Sequence, residues 1–160
     1  MTMTTSNMRL VLVSIAVAAG SAWVFTACSD DTSPVTESPV DFQAGPASFP
    51  SGSEIAVLQG DPSQSGEYTV RLRLPDGYQL PPHFHPTDEH VTVVEGTFLV
   101  GMGDAVDLAS ATTLGQGGFV VAPAGVHHYA AARGKTVVQV HGEGPFAITY
   151  VNPADDPANQ

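Results

Sequence analysis

From Ser53 onward the chain alternates short apolar runs with turns rich in glycine and proline. The clearest run is Tyr68–Leu74, in which valine and leucine residues alternate with two arginines. A period of two places alternate side chains on opposite faces of a strand, so this run predicts a half-buried antiparallel strand. The segments Gly60–Pro62 and Pro75–Gly77 on either side of it have turn composition.

Further runs have the same character and predict strands separated by short turns. His90–Glu95 and Thr97–Val100, joined at Gly96, predict a hairpin, and Asp104–Leu114 is the only segment that favours a helical turn. The remaining predicted strands are Glu54–Gln59, Phe119–Ala122, Tyr129–Ala132, Thr136–His141 and Phe146–Val151. Short strands at this spacing are typical of an all-β sandwich or small barrel.

Composition supports one β domain and excludes some functions. A length of 160 residues corresponds to a single domain, and 16 glycines with 13 prolines disfavour a helical bundle. The formal net charge is −11, with only 5 lysines and arginines. Because nucleic-acid binding depends on neutralising phosphates with cations, we expect no nucleic-acid partner. The one cysteine excludes a disulfide framework within the chain.

The N-terminal segment 1–27 has the pattern of an export signal. Arg9, its only charged residue, precedes the apolar run Leu10–Ala19. The following Phe25-Thr26-Ala27-Cys28 resembles a bacterial lipobox, although phenylalanine stands where leucine is usual. The resemblance implies lipidation of Cys28, a membrane anchor and a place in the cell envelope, in the periplasm or on the outer surface. An uncleaved anchor, or cleavage after an alanine, are the alternatives.

Residues 28–50 follow as a predicted linker. The segment Ser29–Pro50 is dominated by Ser, Thr, Pro and acidic residues and contains no lysine or arginine. Such a composition offers little apolar surface to offset the entropy of ordering. We therefore expect a flexible tether, a folded domain over residues 51–153 and a short tail over 154–160.

Histidines carry the candidate chemistry, and they fall into two clusters. The first cluster is His83-Phe84-His85, followed by Glu89 and His90, and the second is His127-His128. A His-x-His pair on a strand presents both imidazoles on one face. Imidazole with carboxylate suits Fe, Mn, Co, Ni or Zn.

The spacing around these histidines resembles the two signature motifs of the cupin superfamily. Gly77, His83, His85, Glu89 and Gly96 are separated by five, one, three and six residues, as in the first motif. Gly117, Pro123, Gly125 and His128 fit the second motif, except that Ala132 replaces its final asparagine. The resemblance implies a conical jelly-roll β-barrel with a hydrophobic exterior and a polar interior.

The cupin resemblance also implies which residues bind a metal. His83, His85, Glu89 and His128 would hold one divalent transition metal inside the barrel, with Glu89 also able to accept a proton. Outside the motifs, Gln139 and His141 share one face of a predicted strand and Arg73 faces away from its apolar neighbours. These three residues would either line the pocket or, if the valines around them fill the core, face the solvent or the mouth.

Cupins with all four ligands include both enzymes and binding proteins, so the fold alone does not decide the function. The leading hypothesis is a metal-dependent oxidoreductase of the dioxygenase type that acts on a small molecule in the cell envelope. The alternative is a non-catalytic module that binds a small molecule or the metal. The sequence does not decide the oligomeric state, but single-domain cupins often pair through their sheets, and an exposed edge strand would allow a homodimer.

Overall fold

The computed structural model describes residues 39–160, whose regular structure consists of nine β-strands and two 3₁₀ turns. The strands are β1 (Gln43–Ala44), β2 (Glu54–Gln59), β3 (Gly66–Leu74), β4 (Gln79–Phe84), β5 (Glu89–Met102), β6 (Thr112–Leu114), β7 (Phe119–Ala122), β8 (His128–Gly144) and β9 (Thr149–Tyr150). The turns are Pro153–Asp155 and Pro157–Asn159. In this described part, no helix is long and apolar enough to cross a membrane.

Strand β8 organises the sheet because it pairs with three others. Its second half lies against β3, its first half against β4, and β5 runs along nearly its whole length. One path through the sheet is β1-β2-β3-β8-β4-β9, while β6 and β7 extend it from β5. Every pairing is antiparallel. The curled sheet confirms the prediction of an all-β jelly roll.

The core lies inside this curl and follows the alternation in the sequence. In β3, Tyr68, Val70, Leu72 and Leu74 are buried, whereas the residues between them are half-buried. The inward residues of β5 and β8 join the same apolar cluster. Burial of these side chains supplies the main favourable free energy of folding, at roughly 25 cal/mol per Å² of apolar surface.

The predicted hairpin at Gly96 is wrong. Strand β5 continues from Glu89 to Met102, and its register against β8 shifts on both sides of Glu95. Gly96 has a φ of 83°, which favours glycine, and lies against the backbone of Lys135. A β-bulge, which bends a strand without reversing it, therefore replaces the turn.

Other predicted boundaries also change. Strand β8 contains both Tyr129–Ala132 and Thr136–His141, which were predicted as separate strands. It continues through Gly134, which has a positive φ. The predicted Phe146–Val151 strand shrinks to Thr149–Tyr150. Asp104–Leu114 contains turns and strand β6 but no helix. There the Asp107 side chain accepts hydrogen bonds from the backbone of Ala109 and Ser110, which favours a turn.

The predicted linker is ordered at its C-terminal end. Gln43–Ala44 pairs with β2, and Phe49 is buried in the core. The composition of residues 28–50 does not reveal this order, because Phe49 is the one buried residue among the described residues 39–50. The signal segment 1–27 and Cys28 lie outside the described residues.

Candidate metal centre

Three strand ends deliver the four motif residues to one place. His83 lies in β4 and His85 directly after it, so strand alternation points both imidazoles the same way. Glu89 opens β5 and His128 opens β8. His83 and His128 are direct register partners between β4 and β8. The backbone N–H of Gly125 donates to the carbonyl of His85 at 2.9 Å, which fixes the turn before His128.

The three imidazoles form a compact buried group. Ring centroids are 4.2 Å apart for His83 and His128, 5.0 Å for His83 and His85, and 5.2 Å for His85 and His128. One nitrogen from each ring can be chosen so that all three lie within 4.8 Å of one another. None of the three residues is more than 2% exposed.

Each imidazole is oriented by the backbone. Nδ1 lies 2.6 Å from the Pro81 carbonyl oxygen in His83, 2.8 Å from that of Ala147 in His85, and 3.0 Å from that of Val126 in His128. A carbonyl can only accept, so each Nδ1 carries the proton and each Nε2 presents its lone pair. This arrangement is typical of metal-ligating histidines.

The Glu89 carboxylate faces two of these lone pairs. Its Oε2 lies 3.6 Å from Nε2 of His85 and 3.7 Å from Nε2 of His128. Those two Nε2 atoms are buried and have no hydrogen-bond partner. Leaving buried polar atoms unpaired costs free energy, typically about 1–3 kcal/mol each. A cation between them would satisfy both nitrogens and the carboxylate.

The pKa shifts favour the protonation states that metal ligation needs. Burial, reinforced by the neighbouring His128, lowers the pKa of His83 to about 3. Burial also lowers the pKa of His85. Burial opposes ionisation of Glu89, but the imidazoles of His128 and His85 outweigh it and lower the pKa of this carboxyl. Near neutral pH the site therefore holds neutral His83 and His85 beside a carboxylate.

The donor set fits a divalent transition metal. Three imidazoles and one carboxylate match the nitrogen and oxygen ligands of Fe, Mn, Co, Ni and Zn. Sulfur ligands are absent from the described lining of the site. The residues that would hold the ion are His83, His85, His128 and Glu89, in the cavity inside the curled sheet.

The cavity has walls that differ from the predicted polar interior. Apart from the four motif residues, its described lining is apolar or aromatic: Phe49, Leu72, Leu74, Tyr78, Leu80, Val91, Phe98, Val100, Val120, Ala122, Ala130, Ala131, Val138 and Val140. The free space is about 40 Å³, enough for a few water molecules. The reason is that the inward face of each strand also forms the hydrophobic core, so the polar residues lie outside.

Arg73, Gln139 and His141 lie outside this cavity, because the valines and leucines beside them fill the core. Arg73 forms a 2.7 Å ion pair with Glu54, and its guanidinium lies 3.8 Å from the ring centroid of Phe42. The Gln139 side-chain oxygen accepts a hydrogen bond from Arg71 Nε at 3.2 Å.

His141 stacks on His90 from the neighbouring strand, with centroids 4.8 Å apart, and the pair borders an open surface groove. His127 is also outside the centre. Its Nδ1 lies 2.6 Å from Asp104 Oδ1, and its ring stacks on Phe84. Neighbouring positions on a strand point to opposite faces, which separates His127 from His128 and His90 from Glu89.

The sequence gives no signal for two residues next to the centre. Phe146 packs its ring 4.8 Å from that of His85, and Ala147 supplies the carbonyl that orients this histidine. Both residues lie about sixty positions after His85 and in no recognisable motif, so only the tertiary structure shows their role.

Comparison with known proteins gives one family match. Residues 51–160 match the family described as "Domain of unknown function (DUF4437)". No curated protein matches the sequence.

Solved structures of cupin proteins share the fold. The polyketide cyclase RemF from Streptomyces resistomycificus is 17% identical, with a TM-score of 0.60 over 78% of this chain and 89% of its own. A protein from Methylibium petroleiphilum PM1, named as a candidate acetylacetone dioxygenase, is 20% identical, with a TM-score of 0.56 over 78% and 88%. Oxalate oxidase in complex with glycolate is 26% identical, with a TM-score of 0.50 over 68% and 60%.

These likenesses, together with the two motifs and the jelly-roll sheet, agree on the fold. The chain belongs to the DUF4437 family, a cupin-type family, and is a member of the cupin superfamily.

Proposed function

We propose that the protein is a metal-dependent oxidoreductase of the dioxygenase type that acts on a small molecule. The observation that carries the proposal is the pair of buried, unpartnered Nε2 atoms of His85 and His128 facing Glu89. When bound there, a redox-active divalent metal would supply Lewis-acid and one-electron chemistry. Solved cupins include a cyclase and an oxidase, so the fold accommodates such reactions.

The chain's own residues would contribute in three ways. The backbone carbonyls behind His83, His85 and His128 hold the imidazoles in place, so little reorganisation is needed on metal binding. Glu89 would complete the ligand set and accept a proton from the substrate. The apolar walls would exclude bulk water, which strengthens electrostatic interactions within the site.

The test is metal loading followed by oxygen uptake. The full chain would be loaded separately with Fe²⁺, Mn²⁺, Co²⁺, Ni²⁺ and Zn²⁺, and the metal content measured beside a His83→Ala/His128→Ala variant and a His141→Ala control. We expect one ion per chain in the wild type and the control, and none in the double variant. Oxygen uptake would then be screened with phenols and diketones, using the Zn²⁺ form as the redox-inactive reference.

A non-catalytic binding module is the second candidate, and the small free volume of the cavity favours it. A closed, saturated metal site serves binding or structure better than turnover. Metal binding without oxygen uptake for any substrate would support this candidate. Failure of the wild type to bind any of the five metals would contradict both metal-based functions.

We also propose that the protein is exported and anchored in the cell envelope by a lipid on Cys28. The apolar run before that residue and its lipobox-like context support the proposal. Expression in a bacterium fed labelled palmitate would test it. Label and membrane association should be present in the wild type and lost in Cys28→Ser, and an unlabelled wild type would contradict lipidation.

A homodimer is proposed on the exposed apolar side chains near the sheet edge. Phe119 is 53% exposed and Met102 is 52% exposed. Both side chains border the same surface groove, and exposed apolar groups that lie together are typical of interaction sites. Light scattering on the wild type and a Phe119→Ser variant would decide it, since a monomeric wild type contradicts the proposal.

A further inference from the structure

We propose that Phe49 sets the size limit of the molecule admitted to the metal centre and restricts it to a few heavy atoms. This inference rests on the proposed function, because it concerns the substrate of the same site. It goes beyond that function by assigning substrate size to a residue that precedes the part of the chain matching the family.

Phe49 belongs to a segment that we call the N-terminal strap, residues 43–53. The strap begins with the Gln43–Ala44 strand, and Gly45 N–H donates to the Ser53 carbonyl at 2.9 Å. Two buried tyrosines hold its middle part. The Tyr150 hydroxyl donates to the Ser48 carbonyl at 2.8 Å, and the Tyr78 hydroxyl donates to the Pro50 carbonyl at 2.9 Å.

These two hydrogen bonds fix the backbone on both sides of Phe49. Phe49 itself is buried, with only 6% of its surface exposed. Its ring meets Phe146 edge-on, with centroids 6.2 Å apart, and Phe146 in turn packs on the ligand His85. Phe49 is therefore a fixed part of the wall rather than a surface side chain that could swing aside freely.

Two apolar cavities meet at Phe49. The first, of about 40 Å³, contains the metal ligands, and the second, of about 70 Å³, lies towards the strap. Four residues border both cavities: Phe49, Leu72, Glu89 and Val140. Glu89 is thus reached from both sides, and the aromatic ring of Phe49 stands in the wall that the two cavities share.

Phe49 comes from a different part of the chain than the other residues of that wall. Among the described residues that border the metal cavity, it alone lies before position 51, where the family match begins. Leu72 and Val140 belong to β3 and β8, whereas Phe49, although buried in the same core, lies in no strand. A change at Phe49 can therefore alter the cavity without altering the sheet that positions the ligands.

The same geometry indicates the substrate class. The lining offers no charged group beyond the motif histidines and Glu89, so only the metal can bind a polar atom of the substrate tightly. The remainder of the molecule meets aliphatic and aromatic walls. The substrate is then a small molecule with one or two oxygen atoms for the metal and a short apolar part, without room for an aromatic ring while Phe49 is in place. In the oxygen-uptake screen of the wild type, diketones should therefore react and phenols should not.

Benzene is the probe for the test, because an apolar cavity opened by truncating a buried side chain stays dry and binds it. Full-length wild type, Phe49→Ala and the exposed-surface control Val57→Ala would be titrated with benzene, and the thermal midpoint followed. We expect binding to Phe49→Ala to be at least about 10-fold tighter than to the other two. Equal midpoint shifts in all three proteins would overturn the proposal.

A second readout asks whether the opened space reaches the metal centre. With Co²⁺ bound, saturating benzene should change the visible absorption of Phe49→Ala and leave that of the wild type unchanged. An unchanged variant spectrum would show a cavity separate from the centre and would overturn the size-limit role. If the wild type binds none of the five metals, the proposed function fails, and the proposal on substrate size fails with it, whereas the benzene titration still shows whether Phe49 divides the cavity.

Because Phe49→Ala removes a buried ring, a milder Phe49→Leu variant accompanies it. Leucine keeps an apolar side chain at the same place and opens less space. We expect the same two changes with smaller amplitude, in the order wild type, Phe49→Leu, Phe49→Ala. A Phe49→Leu protein that folds but behaves as the wild type in both measurements would contradict the proposal even if Phe49→Ala does not fold.

Discussion

His83 and His128 face each other as direct register partners across β4 and β8, with their ring centroids 4.2 Å apart. Burial, together with the neighbouring His128, lowers the pKa of His83 to about 3, so His83 is neutral at neutral pH. The pairing of the two strands thus places the two imidazoles side by side through the backbone alone.

The first prediction concerns the charge of Glu89. Glu89→Gln keeps the shape of the side chain but removes the negative charge that faces His85 and His128. We expect Co²⁺ or Zn²⁺ affinity to fall at least about 10-fold, which corresponds to about 1.4 kcal/mol. Competition against a chelator of known affinity measures this change. The exposed Glu143→Gln serves as control, and equal affinities in both variants would show that Glu89 is not a ligand.

The second prediction concerns acid stability of the metal-free protein. The pKa of His83 is lowered to about 3, below its ordinary value of about 6.5. Between these two values the unfolded chain binds a proton that the folded chain does not, so the free energy of unfolding falls as the pH falls from about 6.5 towards 3. The slope contributed by one such histidine approaches about 1.4 kcal/mol per pH unit.

Urea unfolding at several pH values between 7 and 4 would check this dependence. His83→Gln should flatten the curve, whereas His141→Gln, on an exposed histidine outside the centre, should leave it unchanged. A His83→Gln curve as steep as that of the wild type would contradict the prediction.

The third prediction concerns Gly101, which lies under the ring of Tyr129. A Cβ at this position would overlap the phenol ring, whose hydroxyl donates to the Asp107 carbonyl at 2.8 Å. Gly101→Ala should therefore lower the free energy of unfolding by about 1–3 kcal/mol, the usual cost of overpacking. Urea unfolding measures it. Gly115→Ala is the matched control, since a Cβ there meets open space, and equal stability of the two variants would be inconsistent with this packing.

The fourth prediction concerns Thr136, which is fully buried beside the bulge at Gly96. Its hydroxyl accepts from the Thr97 N–H at 3.2 Å and lies 3.0 Å from the Thr97 carbonyl oxygen. Thr136→Val removes the hydroxyl at almost constant side-chain volume. It should lower the free energy of unfolding by about 1–3 kcal/mol, because the buried backbone groups of Thr97 lose this hydrogen-bond partner. Thermal unfolding checks it against Thr113→Val, an exposed threonine on a β-strand, which should change stability little.

Local alternation predicted those strands that have one buried face. Glu54–Gln59 and Phe119–Ala122 have the predicted bounds, and β3 extends its prediction by two residues. Glycine was the main source of error. The predicted hairpin at Gly96 and the predicted gap between Ala132 and Thr136 each contain a glycine with a positive φ, Gly96 and Gly134, within a strand that continues. A sequence cannot distinguish a bulge from a turn when both need the same residue, because the distinction depends on pairing with a distant strand.

The candidate centre likewise has residues that the sequence predicts and residues that only the tertiary structure reveals. The resemblance to the two cupin motifs implied the four residues that the sheet brings together, and strand alternation by itself accounts only for the pairing of His83 with His85. The orientation of His85 depends on Ala147, and the closure of the cavity depends on Phe49, which lies in a segment of linker-like composition. Such contacts between distant parts of the chain have no local sequence signal. The outward direction of Gln139 and His141 likewise depended on which face of β8 the core takes.

The backbone bonds behind the three imidazoles have a consequence for how the site can change in evolution. Pro81, Ala147 and Val126 contribute main-chain carbonyls, so no exchange of their side chains deletes an acceptor. Where a side-chain carboxylate orients the imidazole, one substitution removes the acceptor. Here only a movement of the backbone would remove it. The ligand orientation is therefore inherited with the fold, leaving residues around the cavity free to diversify while the nitrogen geometry persists.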